Sequence, residues 1–185
     1  MKLTGIAFMA VLFFGMGYIA AYNSGISGNT ILSAAQPSTG TIQPYICPSD
    51  ACAHQLISLI DGAKSSVHVM IYSLTLQEIA DALVRAKQRG LDVRVLADKT
   101  QAGISSEKVT YLIAHGVPVK IVDIPGYGIF HHKVTIVDGN IVALGSFNYT
   151  ENASERNAEN LEIIRDPATT KKLEQEFQNW WGKTA

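Results

Sequence analysis

The stretch that decides the fold is HHKVTIVDGNIVALGSFN, residues 131–148. Two β-rich runs in it, 133–137 and 141–144, are separated by Asp138-Gly139-Asn140, and a turn of this kind between such runs predicts an antiparallel hairpin. Side chains alternate along a strand, so His131 and Lys133 are expected to project from the same face. The hairpin therefore places an imidazole beside an ammonium at one end of a predicted sheet.

Upstream and downstream of the hairpin, helices alternate with strands. Apolar residues at helical spacing or in short runs predict the helices 53–64, 75–90 and 109–116 and the strands 67–72, 93–96 and 119–122. The run Thr75-Leu76-Gln77-Glu78 is typical of a capping box. A further strand at 161–164 precedes a last helix that begins at Asp166-Pro167. This order predicts an α/β fold, with helices on both faces of a mixed sheet in a single domain.

The N-terminal part differs from the rest of the chain. Lys2 is followed by a nearly continuous apolar run to Tyr22, and residues 1–22 are therefore predicted to be a cleaved signal peptide or a retained membrane anchor. Residues 23–45 have a linker composition, and 46–185 form the predicted catalytic domain. The expected location is periplasmic or secreted, or on the outer side of the inner membrane with membrane contact through an uncleaved segment.

Composition limits the possible functions. Hydrophobic residues make up 47% and charged residues 17%, which excludes a disordered polyelectrolyte. The 15 basic and 16 acidic residues give a net charge of −1, which argues against a broadly basic surface for coating nucleic acid. Any phosphate chemistry must therefore use a local positive site.

The two cysteines favour a disulfide over a metal site. Cys47 and Cys52 could close a small loop in an oxidising compartment. With His54 they could instead suggest metal ligands, but their spacing fits no standard zinc pattern. The sequence contains no other metal-binding motif, so no catalytic metal and no cofactor are expected.

The hairpin residues suit chemistry at a phosphodiester. The Lys133 ammonium can neutralise phosphoryl oxygens, and the His131 imidazole can attack phosphorus or carry a proton near neutral pH. Ser146 and Asn148 are two residues apart, so their hydroxyl and amide can bond the same phosphate. Asp138 fits a structural role that locks the hairpin turn.

These residues together resemble a known signature. His131-x-Lys133-x-x-x-x-Asp138, then Gly145-Ser146-x-Asn148, then Asn157-Ala158-Glu159-Asn160 resemble the motif of the phospholipase D superfamily. The resemblance runs from about Pro48 to the C-terminus. Its layout is that of small single-motif bacterial members, which include exported Nuc-type endonucleases and short exported phospholipases D.

The resemblance implies a role for each motif residue. His131 matches the nucleophile that forms a phosphohistidine, Lys133 and Asn148 match phosphate ligands, and Ser146 matches a supporting hydroxyl. Glu159 matches the carboxylate that hydrogen-bonds the far nitrogen of the histidine, where it would fix the tautomer.

The implied mechanism also needs a second histidine. None of His54, His68, His115 and His132 lies in the motif, and His132 should point away from His131. A second copy of the chain is therefore expected to supply it, in a homodimer with one composite site.

The expected activity is that of an exported, metal-independent phosphodiesterase, a non-specific endonuclease on DNA or RNA. One alternative is a phospholipase D that releases head groups from phosphatidylcholine-type lipids in lipid degradation, and another is a non-catalytic binding module. Tyr127 and Phe130, in the loop before the motif, could touch a base or a lipid chain or only cover the core. Four cations could lie near the catalytic face or be ordinary solvated residues: Arg94, Lys99, Lys108 and Lys120.

Overall fold

A computed structural model describes residues 40–105 and 107–184, so the predicted leader 1–22 and residues 23–39 of the predicted linker lie outside the described part. The described residues form a seven-stranded mixed sheet in the order β1-β7-β6-β5-β2-β3-β4. The strands are β1 (Thr41–Cys47), β2 (Ser66–Ile71), β3 (Asp92–Asp98), β4 (Val119–Val122), β5 (Lys133–Val137), β6 (Ile141–Gly145) and β7 (Glu159–Arg165). The helices are α1 (Cys52–Gly62), α2 (Gln77–Gln88), α3 (Lys99–Ala102), α4 (Val109–Ala114), α5 (Glu151–Glu155) and α6 (Pro167–Lys183).

The pairing of the strands fixes where the loops meet. β2, β3 and β4 are parallel, whereas β5, β6, β7 and β1 pair antiparallel in turn. Consequently β2, β3 and β4 finish at the end of the sheet at which β5 begins, which we call the site end. The predicted α/β architecture, a mixed sheet with helices on both faces, is confirmed.

Apolar clusters hold helices on both faces of the sheet. On one face, buried residues of α1 and α2, such as Leu56 and Leu83, pack on the sheet. On the other, Phe177 of α6 is buried against Met70 and Leu96 of the central strands. Helices are needed on both faces because strands such as β2 bury nearly every side chain. No helix in the described ranges is both long and apolar enough to cross a membrane.

Two local features differ from the sequence-based predictions. β1 begins inside the predicted linker, because Thr41–Cys47 pairs along its length with β7; the central Pro44 is tolerated since β1 is an edge strand. The predicted capping box at Thr75 is wrong, and α2 begins after Leu76 with no side-chain cap. The reason is tertiary: the amides of Thr75 and Leu76 both donate to the carbonyl of Tyr149, each at 2.9 Å.

Candidate active site

His131 lies in the loop that leads into β5, exposed at the site end. Its ring packs at a tilt of 59° against Tyr72, with the ring centroids 4.7 Å apart. Desolvation lowers the pKa of His131 below its ordinary 6.5 and the Lys133 ammonium lowers it further, while Asp98 acts in the opposite direction. The lowered pKa favours the neutral imidazole, which is the form that can attack phosphorus.

Lys133 carries a buried ammonium beside this imidazole. The residue is only 7% exposed, and its Nζ donates to the carbonyl of His131 at 3.1 Å. Burial lowers the pKa of Lys133, while the carboxylate of Glu159 raises it. A buried cation is costly unless an anion compensates it, so this position suits a phosphate oxygen.

Ser146 and Glu159 form a bonded pair next to the site. The Ser146 hydroxyl donates to Oε2 of Glu159, and the side chain of Asn157 donates to Oε1 at 3.0 Å. The contact with His131 that the resemblance implied is not among the bonds of Glu159 in the described chain. The topology explains this, because Glu159 opens β7, and β6 lies between β7 and the strand that follows His131.

Asn148 presents an unsatisfied amide oxygen. It follows β6 between Phe147 and Tyr149, which are buried in the core, so Ser146 and Asn148 alternate with two anchored aromatic rings. Its Oδ1 is buried and has no hydrogen-bond partner in residues 40–105 and 107–184. A buried acceptor without a partner costs about 1–3 kcal/mol and needs a donor, whereas the Nδ2 of the same amide is the atom that can donate to a phosphoryl oxygen.

Asp138 and the cysteines support the site from a distance. Asp138 lies in the β5–β6 turn, at the opposite end of β5 from His131. Cys47 and Cys52 form a disulfide that ties the end of β1 to the start of α1, and cysteines bonded in this way do not bind metal. Cys47 is also paired with Glu159 across the β1–β7 ladder. Within the described ranges, no group of three or more His, Cys, Asp or Glu side chains could hold a metal ion.

The other histidines occupy separate surroundings. His68 is buried on β2, stacked on Phe177, with its Nδ1 2.9 Å from Glu174. His115 bonds the carbonyl of Tyr111 at the end of α4. His132 packs against Phe130 instead of Tyr72, so it lies apart from His131 as expected from strand alternation. His54 is exposed on α1.

The four cations considered from the sequence lie in different parts of the fold. Arg94 pairs with Asp92 and lies over the ring of Trp181, and Lys120 bonds carbonyls at the end of α6, so both serve the α6 face. At the site end, Lys99 at the start of α3 forms an ion pair of 2.6 Å with Asp123, which follows β4. Lys108, half-buried, directly precedes α4, and its backbone amide donates a hydrogen bond to the carbonyl of Leu74.

The two aromatic residues of the loop before the motif have different surroundings. Phe130 is 2% exposed and packs in the core, which confirms the prediction that it covers the core. Tyr127 is fully exposed, at the tip of a turn in which Gly126 has φ +75°. Sequence reasoning missed Tyr72 and Asp98, although an acidic residue that closes a buried strand, as Asp98 closes β3, is a signal that could have found one of them.

Comparison with known proteins gives concordant matches. A family model described as "Cardiolipin synthase, PLD-like domain" matches residues 56–181. A phospholipase D of Rickettsia prowazekii is 32% identical over 151 residues, covering 82% of this chain and 71% of that protein. A mitochondrial cardiolipin hydrolase of Xenopus tropicalis is 32% identical over 138 residues, covering 73% of this chain and 65% of that protein.

Two solved structures have the same fold. Nuc of Salmonella typhimurium, described as a phospholipase D family member, is 32% identical with a TM-score of 0.73, covering 79% of this chain and 97% of that chain. NucT of Helicobacter pylori is 28% identical with a TM-score of 0.74, covering 79% of this chain and 98% of that chain.

Proposed function

Since the chain belongs to the phospholipase D superfamily and is a phosphodiesterase of that class, we propose that it hydrolyses nucleic acid through a phosphohistidine on His131, without a metal, outside the cytoplasm. The observation that carries the proposal is that the buried Lys133 bonds the carbonyl of His131 and that its ammonium and the exposed imidazole of His131 lie against the same ring, that of Tyr72. The apolar run behind Lys2 supports export.

The first chemical step forms a bond from a ring nitrogen of His131 to phosphorus. The bond from phosphorus to the leaving oxygen breaks, and that oxygen takes a proton from a second imidazolium. Lys133 and the amide of Asn148 bind the phosphoryl oxygens as negative charge develops on them. In the second step water attacks phosphorus, the second imidazole takes its proton, and the bond to His131 breaks.

We propose that the second imidazole is the His131 of another copy of this chain. The four other histidines of the sequence are engaged elsewhere or lie away from the motif: His54, His68, His115 and His132. A two-fold axis through the site would bring two equivalent imidazoles to one phosphorus atom. The enzyme is therefore expected to be an active homodimer and to lose activity when diluted below its dissociation constant.

Nucleic acid is the first substrate candidate because the site lies open on the surface. His131 and Ser146 are both exposed, which lets a long polymer pass, and the fully exposed Tyr127 could stack on a base. A second candidate, a phospholipid, is favoured by the apolar exposure near the site. Ile104 and Ile129, both 45% exposed, lie with Tyr127 in loops at the site end.

The test uses the purified full chain and its His131→Ala and Tyr111→Phe variants in the presence of a chelator. The substrates are plasmid DNA, RNA and phosphatidylcholine vesicles. We expect the wild type to nick plasmid DNA, His131→Ala to nick it at least about 10³-fold more slowly, and Tyr111→Phe to nick it at the wild-type rate. Rapid denaturation in alkali, in which a phosphohistidine is stable, should recover phosphorus bonded to one histidine.

Other outcomes would change the proposal. Choline release that depends on His131, without nicking, would move the substrate to phospholipid. Abolition of activity by the chelator would contradict the mechanism, as would an active monomer in size-exclusion chromatography with light scattering. The absence of turnover on all three substrates would favour a binding module.

A further inference from the structure

Tyr72 lies outside the signature motif, yet its ring contacts both reactive side chains. The centroid of its ring is 4.7 Å from that of His131 and 5.0 Å from the Nζ of Lys133. Its backbone amide also donates to the carbonyl of His132 at 2.8 Å, which extends the β2–β5 pairing toward the motif. One aromatic side chain therefore forms a wall shared by the imidazole and the ammonium.

The ring of Tyr72 is itself held from the short helix α3. The side-chain amide of Gln101, in α3, donates to the Tyr72 hydroxyl at 2.9 Å. Without such a bond a partly buried tyrosine could rotate about its side-chain torsions, so the bond fixes the plane that the imidazole meets.

A buried carboxylate connects this tether to the loop of the nucleophile. Asp98, 1% exposed, accepts from the backbone amide of Gln101 at 3.2 Å and from that of Phe130 at 2.7 Å. Phe130 directly precedes His131. One carboxylate thus anchors both the helix that holds the Tyr72 ring and the backbone that carries the imidazole, so their separation is set from a single point.

We infer that Tyr72 is a positioning residue for the phosphodiester reaction: its ring orients His131 and shields Lys133 from water. The inference rests on the proposed function but not on the nature of the substrate. Two effects follow from the geometry. A tilted ring restricts the imidazole to orientations near attack, and a ring face near an ammonium stabilises that cation where water is excluded.

The test measures hydrolysis of a chromogenic phosphodiester, bis(4-nitrophenyl) phosphate, by the full chain from about pH 5 to about pH 9. Tyr72→Ala removes the wall and admits water, so kcat should fall by about 10²-fold. The pKa of His131, which desolvation lowers, should then rise toward its ordinary value. The acid limb of the kcat/KM profile should accordingly move to higher pH.

Two further variants at the wall separate its parts. Tyr72→Phe keeps the ring but removes the hydroxyl that Gln101 bonds, so its kcat should lie about tenfold below that of the wild type and about tenfold above that of Tyr72→Ala. Gln101→Leu keeps the ring but removes its tether, so it should lower kcat by about tenfold with little change in KM.

Tyr111 provides a matched control. It too packs at a tilt on a histidine, His115, at 4.2 Å, and its hydroxyl bonds Asp81 at 2.6 Å, but it lies outside the site. Tyr111→Ala should lower thermal stability and leave kcat and the acid limb of the folded enzyme unchanged.

The inference is overturned if folded Tyr72→Ala keeps its kcat, or if it loses activity while the acid limb stays in place, since a merely structural role predicts the latter. If Tyr72→Ala does not fold, Gln101→Leu decides: wild-type turnover overturns the inference and slowed turnover at unchanged melting temperature supports it. Failure of the proposed function would instead leave His131→Ala as active as the wild type.

Discussion

The turn residue Asp138 gives a sharp test of how the hairpin that carries the motif is held. Its carboxylate accepts from the backbone amides of Lys64, Ser65 and Ser66 at 3.0, 2.7 and 3.1 Å, and from the Ser65 hydroxyl at 2.9 Å. Its backbone is left-handed, with φ 53°, followed by Gly139 at φ 64°. The carboxylate therefore binds the start of β2 to the far end of β5.

Asp138→Ala should cost about 3 kcal/mol. Three of the four bonds lie at exposed donors, where water partly replaces the acceptor, so all four together contribute about 2 kcal/mol. Alanine in a left-handed conformation adds about 1 kcal/mol. Asp138→Asn keeps one oxygen and tolerates this conformation, so it should cost only about 1 kcal/mol. The alanine variant should melt roughly 10 °C lower.

The pH dependence of the same variants supplies an independent check. Burial raises the pKa of Asp138, but the bonds from Ser65, Ser66 and Lys64 outweigh it and leave the pKa below its ordinary 3.8. Because the folded pKa is depressed, the stabilisation is complete above the unfolded value and is lost as pH falls through the folded one. In urea titrations, the difference between wild type and Asp138→Asn should therefore shrink only in acid.

Two results would refute this account. One is a cost of Asp138→Ala below about 0.5 kcal/mol at neutral pH, which is the range of ordinary surface substitutions. The other is a fall in kcat of folded Asp138→Asn comparable with that of His131→Ala, because a residue that only locks the turn should leave the chemistry intact.

Three further predictions concern the support of the site. Lys133→Met should lower kcat by about 10²-fold or more without loss of folding, since an apolar side chain of similar length suits a buried position; unchanged turnover would contradict the phosphate role. Replacing Cys47 and Cys52 by serine should lower the free energy of unfolding by about 2 kcal/mol, measured by urea titration against the oxidised chain. Gly145→Ala should cost about 3 kcal/mol, because its Cβ would lie 2.2 Å from a main-chain oxygen of β7, whereas Gly62→Ala meets nothing within 4 Å and should be nearly neutral.

Local sequence patterns were sufficient to predict most helices and strands and the β5–β6 hairpin. Asp138-Gly139 lies in the predicted turn, because both residues adopt the positive φ that such a turn requires. Alternation of helices and strands was sufficient for the α/β class. The edge strand β1 was missed because its residues are largely exposed: Ile42 and Ile46 are 66% and 57% exposed, so the strand depends on pairing with β7 and not on a buried pattern of its own.

Pair contacts across the sheet were harder to predict than positions along a strand. Alternation correctly separates His132 from His131, because that geometry is local. The partner of Glu159 depends on strand order. β6 lies between β7 and β5, which brings Ser146 to the carboxylate, and no spacing in the sequence contains that order.

The Tyr72 wall beside His131 shows most clearly that contacts between separate segments cannot be read from sequence spacing. Tyr72 follows β2, Gln101 lies in α3 after β3, and Phe130 lies in the loop after β4. Gln101 bonds Tyr72, and Asp98 bonds both Gln101 and Phe130, because β2, β3 and β4 end at one side of the sheet. A buried carboxylate needs hydrogen-bond donors, and Asp98 accepts from amides of α3 and of the loop that carries Phe130, so it joins these segments. An acidic residue at the end of a parallel strand can thus hold several neighbouring segments at once. The residues that orient the motif at the site end are therefore found among the hydrogen-bond partners of that acid.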